Sequence, residues 1–171
     1  MAAFGFTVYI TWKGDEKDGK RMENILNAAF TYSDIEDNEL DVGVDRDKVI
    51  SLRQEISQKM YKRIPITDEF SEYALFGEYE EPHTLYCNWD DNLNFAPNCF
   101  VPLYTMFPEL DFLAHYQQDY VSSEDYYKFY CMIYKQGKEI ERYIKEYKSY
   151  NQYDRRCQKA KDERIIWLQK K

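Results

Sequence analysis

Across residues 64–125 the chain has not one Lys or Arg, while the same 62 residues carry thirteen carboxylates. A surface of one negative sign is repelled by phosphate backbones and by anionic lipid. That argues against nucleic acid and membrane as partners of this face and points to a basic surface on another protein. Phosphodiester chemistry also needs a nearby cation to stabilise transition-state charge, and this segment offers none. Gly-rich phosphate loops, a nucleophile elbow, an HExxH helix and a paired-carboxylate nuclease site with its lysine are all missing. No catalytic residue and no cofactor is therefore expected. The four cysteines form no CxxC pair, so reduced, partly buried thiols follow. No apolar run approaches the roughly 18 residues of a membrane helix, and Met1–Ile10 has neither a basic region nor a small-residue cleavage site. A cytoplasmic location is the default expectation.

What the chain does have is aromatic material, 18% of its residues, enough to supply a core despite the high charge. At 171 residues the simplest organisation is one domain over 1–171, burying about 70% of the surface the unfolded chain exposes. Alternation of Phe4, Phe6, Val8 and Ile10 with smaller or polar residues predicts a first strand. Met22, Ile25, Leu26 and Ala29 predict a helix near Lys20–Phe30, and Leu40, Val42 and Val44 a short strand. Asp45 or Asp47 can cap a second helix with Val49, Leu52, Ile56 and Met60 on its buried side. Strands follow around Tyr73–Tyr79 and Thr84–Trp89, and three prolines over residues 92–108 predict an ordered loop with at most one helical turn. Leu110–His115 resumes a strand pattern that ends before Gln117.

Gln136-Gly137 reads as a two-residue hairpin turn. Counting from it pairs Ile133 with Ile140 and Phe129 with Ile144, and it sets Lys128 against Lys145 at a mild cost. A helix over Lys138–Tyr150 is the competing reading. A final helix over 154–171, semi-independent of the domain, would be capped by Asp154, with Cys157, Ala160, Ile165 and Leu168 inward and its lysines and arginines outward. The fold class expected is α+β, an antiparallel sheet with helices packed on one side.

The run Phe107-Pro108-Glu109-Leu110-Asp111-Phe112, then Tyr116, an aromatic strand and Gly137 resembles the C-terminal half of ferredoxin-like domains of unknown function found on plasmids and phages. The resemblance covers residues 107–137 only. It implies a sheet that is ferredoxin-like in part and a mobile-element setting, with the host cytoplasm as the compartment. It implies no catalytic residue.

His83, Cys87, Cys99 and His115 have zinc-ligand chemistry, but an extended Thr84–Trp89 would hold His83 about 13 Å from Cys87, at roughly 3.3 Å per residue. They read as core or surface residues, and no metal is expected. Asp34, Glu36 and Asn38 open like a calcium loop, but Glu39 stands where the turn wants glycine. The acidic stretch has bland readings as well, a solvated face over an aromatic core, or an internal partner in the basic segment Tyr126–Lys171. Natural surfaces, however, usually intersperse both signs. The function expected is a non-enzymatic binder or inhibitor whose acidic, tyrosine-rich face occupies a basic site, one that can be a nucleic-acid site. Glu78, Tyr79, Glu80, Glu81, Trp89, Asp90 and Asp91 are its candidate contacts. The alternatives are a metal-dependent hydrolase or nuclease using Asp90, Asp91 and Glu109, or a structural or self-assembling protein in which homo-oligomers form through tyrosines.

Overall fold

A computed structural model of the chain describes residues 6–30, 46–59, 77–78, 80–89, 100–118 and 126–170. Strand β1 (Phe6–Lys13) lies inside the sheet, because its alternation gives it two useful faces. Val8, Ile10 and Trp12 are buried on one face, while Thr11 and Tyr9 point to the other. It pairs antiparallel with β3 (Thr84–Trp89) on one side and β4 (Asp111–Gln118) on the other. Two residues of β2 (Gly77–Glu78) add outside β3, and β5 (Tyr127–Lys135) and β6 (Lys138–Tyr147) add outside β4. The order is β2-β3-β1-β4-β5-β6, with every neighbour antiparallel.

Helices α1 (Glu16–Phe30), α2 (Arg46–Lys59) and the short α3 (Val101–Met106) cover one face. Met22, Ile25, Leu26, Val49, Leu52, Leu103 and Tyr104 meet Ile10, Trp12, Phe112, Ala114 and Met132 there. Helix α4 (Tyr150–Gln169) lies on the opposite face, over Leu113, Phe129 and Cys131. The α+β class with an antiparallel sheet is as expected, but the helices are not confined to one side. β4 explains why: Phe112 through Tyr116 are buried without a break. A strand that is apolar on both faces requires cover on both.

Local differences from the sequence reading have local causes. Helix α1 begins at Glu16 rather than Lys20; the Asp15 amide donates to the Asp18 carboxylate at 2.9 Å, the return half of a capping box. Its glycine is needed, since a Cβ on Gly19 would lie 2.2 Å from the Trp12 ring. The proline-rich segment forms six helical residues, because Pro102 sits in the first turn, where its missing N–H has no partner to lose. β4 continues to Gln118. The strand expected over Leu40–Val44 and the Asp34–Glu39 loop lie outside the described residues. So does the segment expected to be strand over Tyr73–Tyr79, apart from Gly77 and Glu78.

The hairpin forms, with its turn at Gln136 and Gly137, both at positive φ as a two-residue type I′ turn requires. The register differs by one residue beyond the turn. Lys135 pairs with Lys138 and Tyr134 with Glu139, but a bulge then absorbs Ile140, so that Ile133 faces Glu141 and Phe129 faces Lys145. The displaced register sets Lys128 opposite Glu146 instead of Lys145. It replaces a like-charge neighbour by an attractive one, and Ile140 and Ile144 end 61% and 53% exposed. Substitution of the fully buried Phe129 by Ala should cost about 3–5 kcal/mol, whereas Ile140→Ala should stay within about 0.5 kcal/mol. Denaturant unfolding of the two variants checks this, and equal losses would contradict the bulged register.

Candidate functional site: a groove beside a buried charge network

Helix α4 turns the residues at 153, 156, 160 and 164 toward the sheet, a 3-4-4 spacing that makes one stripe. Two members of that stripe are arginines, so the expectation that the arginines point outward is overturned for Arg156 and Arg164. Of the expected inward set only Ala160 is fully buried, and Ile165 is 39% exposed. The helix is capped by Ser149, whose hydroxyl accepts from the Gln152 amide at 3.5 Å, rather than by Asp154.

Arg164 tolerates burial because its donors meet acceptors. Its Nε and Nη2 donate to Glu81 Oε2 and Oε1 at 2.6 and 2.9 Å, a bidentate pair from the last helix to the turn before β3. Its Nη1 donates to His115 Nδ1 at 2.9 Å, and its guanidinium carbon lies 4.3 Å from the Tyr9 ring centroid. An arginine has no acceptor to offer, so His115 Nδ1 must be the acceptor and the proton sits on Nε2. Nε2 is 3.9 Å from Glu163 Oε2, a distance at which a charged imidazole would form an ion pair. The ring is nevertheless neutral. Burial first, then the guanidinium groups of Arg164 and Arg156, hold its pKa well below the ordinary histidine value. Glu163 is committed to Arg156, which donates to it at 3.0 Å, also donates to the Tyr143 hydroxyl and stacks over Phe129 at 4.1 Å. Burial pushes the Cys131 thiol up to about 11 and the Tyr143 hydroxyl up to about 12, so neither is a ready nucleophile or base at neutral pH.

Beside this network, Lys13, Gly14, Pro82, His83, Ile165, Leu168 and Gln169 line an open groove of about 440 Å³. One wall is the Glu81–His83 turn and the other is the end of α4, and the Arg164–Glu81 pair ties the two together. His83, at φ 50, stacks on Trp12 with ring centroids 5.1 Å apart and places Nδ1 3.3 Å from the Trp12 carbonyl. Lys13, also in the groove's lining, lies over the Trp167 ring at 4.4 Å.

Of the expected partner contacts, Glu80 is exposed, two residues before the groove-lining Pro82, while the Glu81 side chain is only 12% exposed and faces Arg164. The backbones of Glu78 and Trp89 lie in β2 and β3; Tyr79, Asp90 and Asp91 lie outside the described residues. Trp89 is at the far end of β3 from the Glu80-Glu81 turn, about 16 Å away at roughly 3.3 Å per residue. Glu109 of the hydrolase alternative stands 3.6 Å from Arg21. His83 and His115 serve different neighbours, and among the described residues no three His, Cys, Asp or Glu side chains could share an ion. The aromatic stretch divides in the same way: Phe100, Tyr104, Phe107, Phe112 and Tyr116 are core, and Tyr86 is 37% exposed.

Two tests follow from the network. Removing Arg164 strands a carboxylate in a largely buried site, so Arg164→Ala should cost about 3–5 kcal/mol by denaturant unfolding, and Arg164→Lys most of that because a single ammonium cannot make the bidentate contact. His115 predicts an acid limb. Its folded pKa is depressed, so below about 6.5 the unfolded chain binds a proton that the folded chain does not, and stability falls with decreasing pH by up to about 1.4 kcal/mol per pH unit. His115→Asn keeps an acceptor for Arg164 and should remove that component of the pH dependence. An unchanged limb in the variant would place it elsewhere.

No helix among the described residues is long and apolar enough to cross a membrane. Compared with known proteins, the chain matches no family model, no curated protein and no solved structure.

Proposed function

We propose that the protein is a non-enzymatic binding module that docks its acidic segment on a basic surface of another protein. The observation that carries this reading is the run of thirteen carboxylates without a cation over residues 64–125. Among the described side chains of that run, Glu81 meets Arg164 and Glu109 meets Arg21, while Glu80 stays exposed. The groove next to Glu80, with Pro82, Ile165 and Leu168 in its walls, is suited to receive an apolar side chain of the same partner. Charge then governs encounter and the apolar contact governs residence. Where the basic surface is one that holds nucleic acid, the module acts as an inhibitor that imitates phosphate spacing with carboxylates.

The test leaves Glu81 untouched, since it is structural, and neutralises Glu78, Glu80, Asp90 and Asp91 together as E78Q/E80Q/D90N/D91N. The immobilised full chain should capture basic proteins from a lysate and release them as salt rises from about 0.1 M toward 1 M, over which the Debye length shrinks from about 10 Å to about 3 Å. The variant should keep the parent's melting temperature and capture far less. Equal capture by the two folded proteins at low salt would remove the acidic segment from the binding mechanism.

A further inference from the structure

Among the described residues strand β6 is an edge: it pairs with β5 and with no other strand. An edge of ten residues offers a row of backbone donors and acceptors to any other strand. Its side chains decide which strand can use it. The bulge at Ile140 distorts the first part, which leaves Glu141–Tyr147 as the regular segment. Tyr143 and Tyr147 belong to the α4 side of the sheet, so Arg142, Ile144 and Glu146 share the opposite face. All three are exposed, and Ile144 is 53% exposed.

We propose that β6 pairs antiparallel with β6 of a second copy of this chain, with the two-fold axis at Ile144, joining two sheets into one. In that register Ile144 meets Ile144 of the second copy, covering an exposed apolar side chain on each. Arg142 faces Glu146 of the second copy, and Glu146 faces its Arg142, so the pair occurs twice. On the other face Glu141 lies opposite Tyr147 and Tyr143 opposite Lys145. No like charges oppose each other at any position. Neighbouring registers are worse: an axis at Arg142 or Lys145 sets two identical cations together, and an axis at Tyr143 leaves each Ile144 opposite an arginine. Arg142 already contacts Glu139 on its own strand, and its five-donor guanidinium can serve a second carboxylate as well. A two-fold interface must be self-complementary, and the order Arg-x-Ile-x-Glu over 142–146 has that property. This inference is independent of the acidic segment.

Sedimentation of the full chain from about 1 μM to about 500 μM tests it, and each charge reversal should weaken the dimer about tenfold or more, equivalent to about 1.4 kcal/mol. The parent's mass should rise from the 20.8 kDa of one chain toward twice that value. R142E and E146R should each impair this rise by setting two like-charge pairs across the axis, and the double variant R142E/E146R should recover it because the pairs are only exchanged. Circular dichroism of each variant confirms that the chain is folded. A parent that stays at the single-chain mass throughout overturns the proposal. So do folded single variants that associate like the parent, and so does a folded double variant that fails to regain association.

Discussion

The guanidinium of Arg164 is the fixed point between the last helix and the rest of the molecule. It joins α4 to Glu81 in the turn before β3, to His115 on β4 and to the ring of Tyr9 on β1. One side chain thus ties together strands from three parts of the sequence and sets the rotation of the helix above them. With Arg164 inward, the helical period brings Arg156 over Phe129 and Tyr143, and it leaves Ile165 and Ile166 on the outside. A hydrophobic pair of similar volume would often match a buried ion pair in stability. What the ion pair adds is direction. A bidentate guanidinium–carboxylate contact accepts one orientation, whereas an apolar stripe would allow the helix to roll.

The same helix shows where sequence reading stops. Its apolar residues suggested one inward face and the structure uses another, because hydrophobic periodicity weighs a residue by type and not by whether its polar atoms can be satisfied. Arg164 counts as an outward residue until Glu81, 83 positions earlier in the chain, is known to be beside it. The signal that was available is modest: the two inward cations are both arginine, the residue suited to buried, planar recognition, while Lys159 and Lys161 stay exposed. Elements governed by local rules were easier to read. The alternation of β1, the Val49 and Leu52 face of α2 and the turn at Gln136-Gly137 follow from spacing and turn chemistry. The bulge at Ile140 does not, since it depends on which residues of β5 stand opposite. That Glu81 belongs to the interior and Glu80 to the surface was equally beyond a one-dimensional reading, because the two differ only in what stands opposite.

Tyrosine abundance has a similar resolution. Several of the seventeen tyrosines serve as core residues with their hydroxyls paired internally. Tyr104 and Tyr116 share a 2.9 Å hydrogen bond, and Tyr153 donates to the Gln118 carbonyl at 2.7 Å. Burial raises the pKa of Tyr104, which keeps its hydroxyl a neutral donor inside the sheet–helix interface. A chain rich in tyrosine therefore need not display it.

Charge is arranged differently on the two surfaces considered for partners, and the difference bears on what each can select. The stretch over residues 64–125 has one sign, so it attracts any sufficiently basic surface and discriminates mainly through the shape around it. The β6 edge alternates: Lys138, Glu139, Glu141, Arg142, Lys145 and Glu146 give little net field but a specific order. An alternating edge repels most strands through at least one like-charge pair and accepts only a sequence of the complementary order. Its own sequence, read antiparallel about Ile144, is one that qualifies. In these two proposals long-range attraction and short-range exclusion fall to different segments of the chain, and a change in salt should weaken the first far more than the second, where neighbouring backbone pairing and the Ile144 contact do not depend on charge.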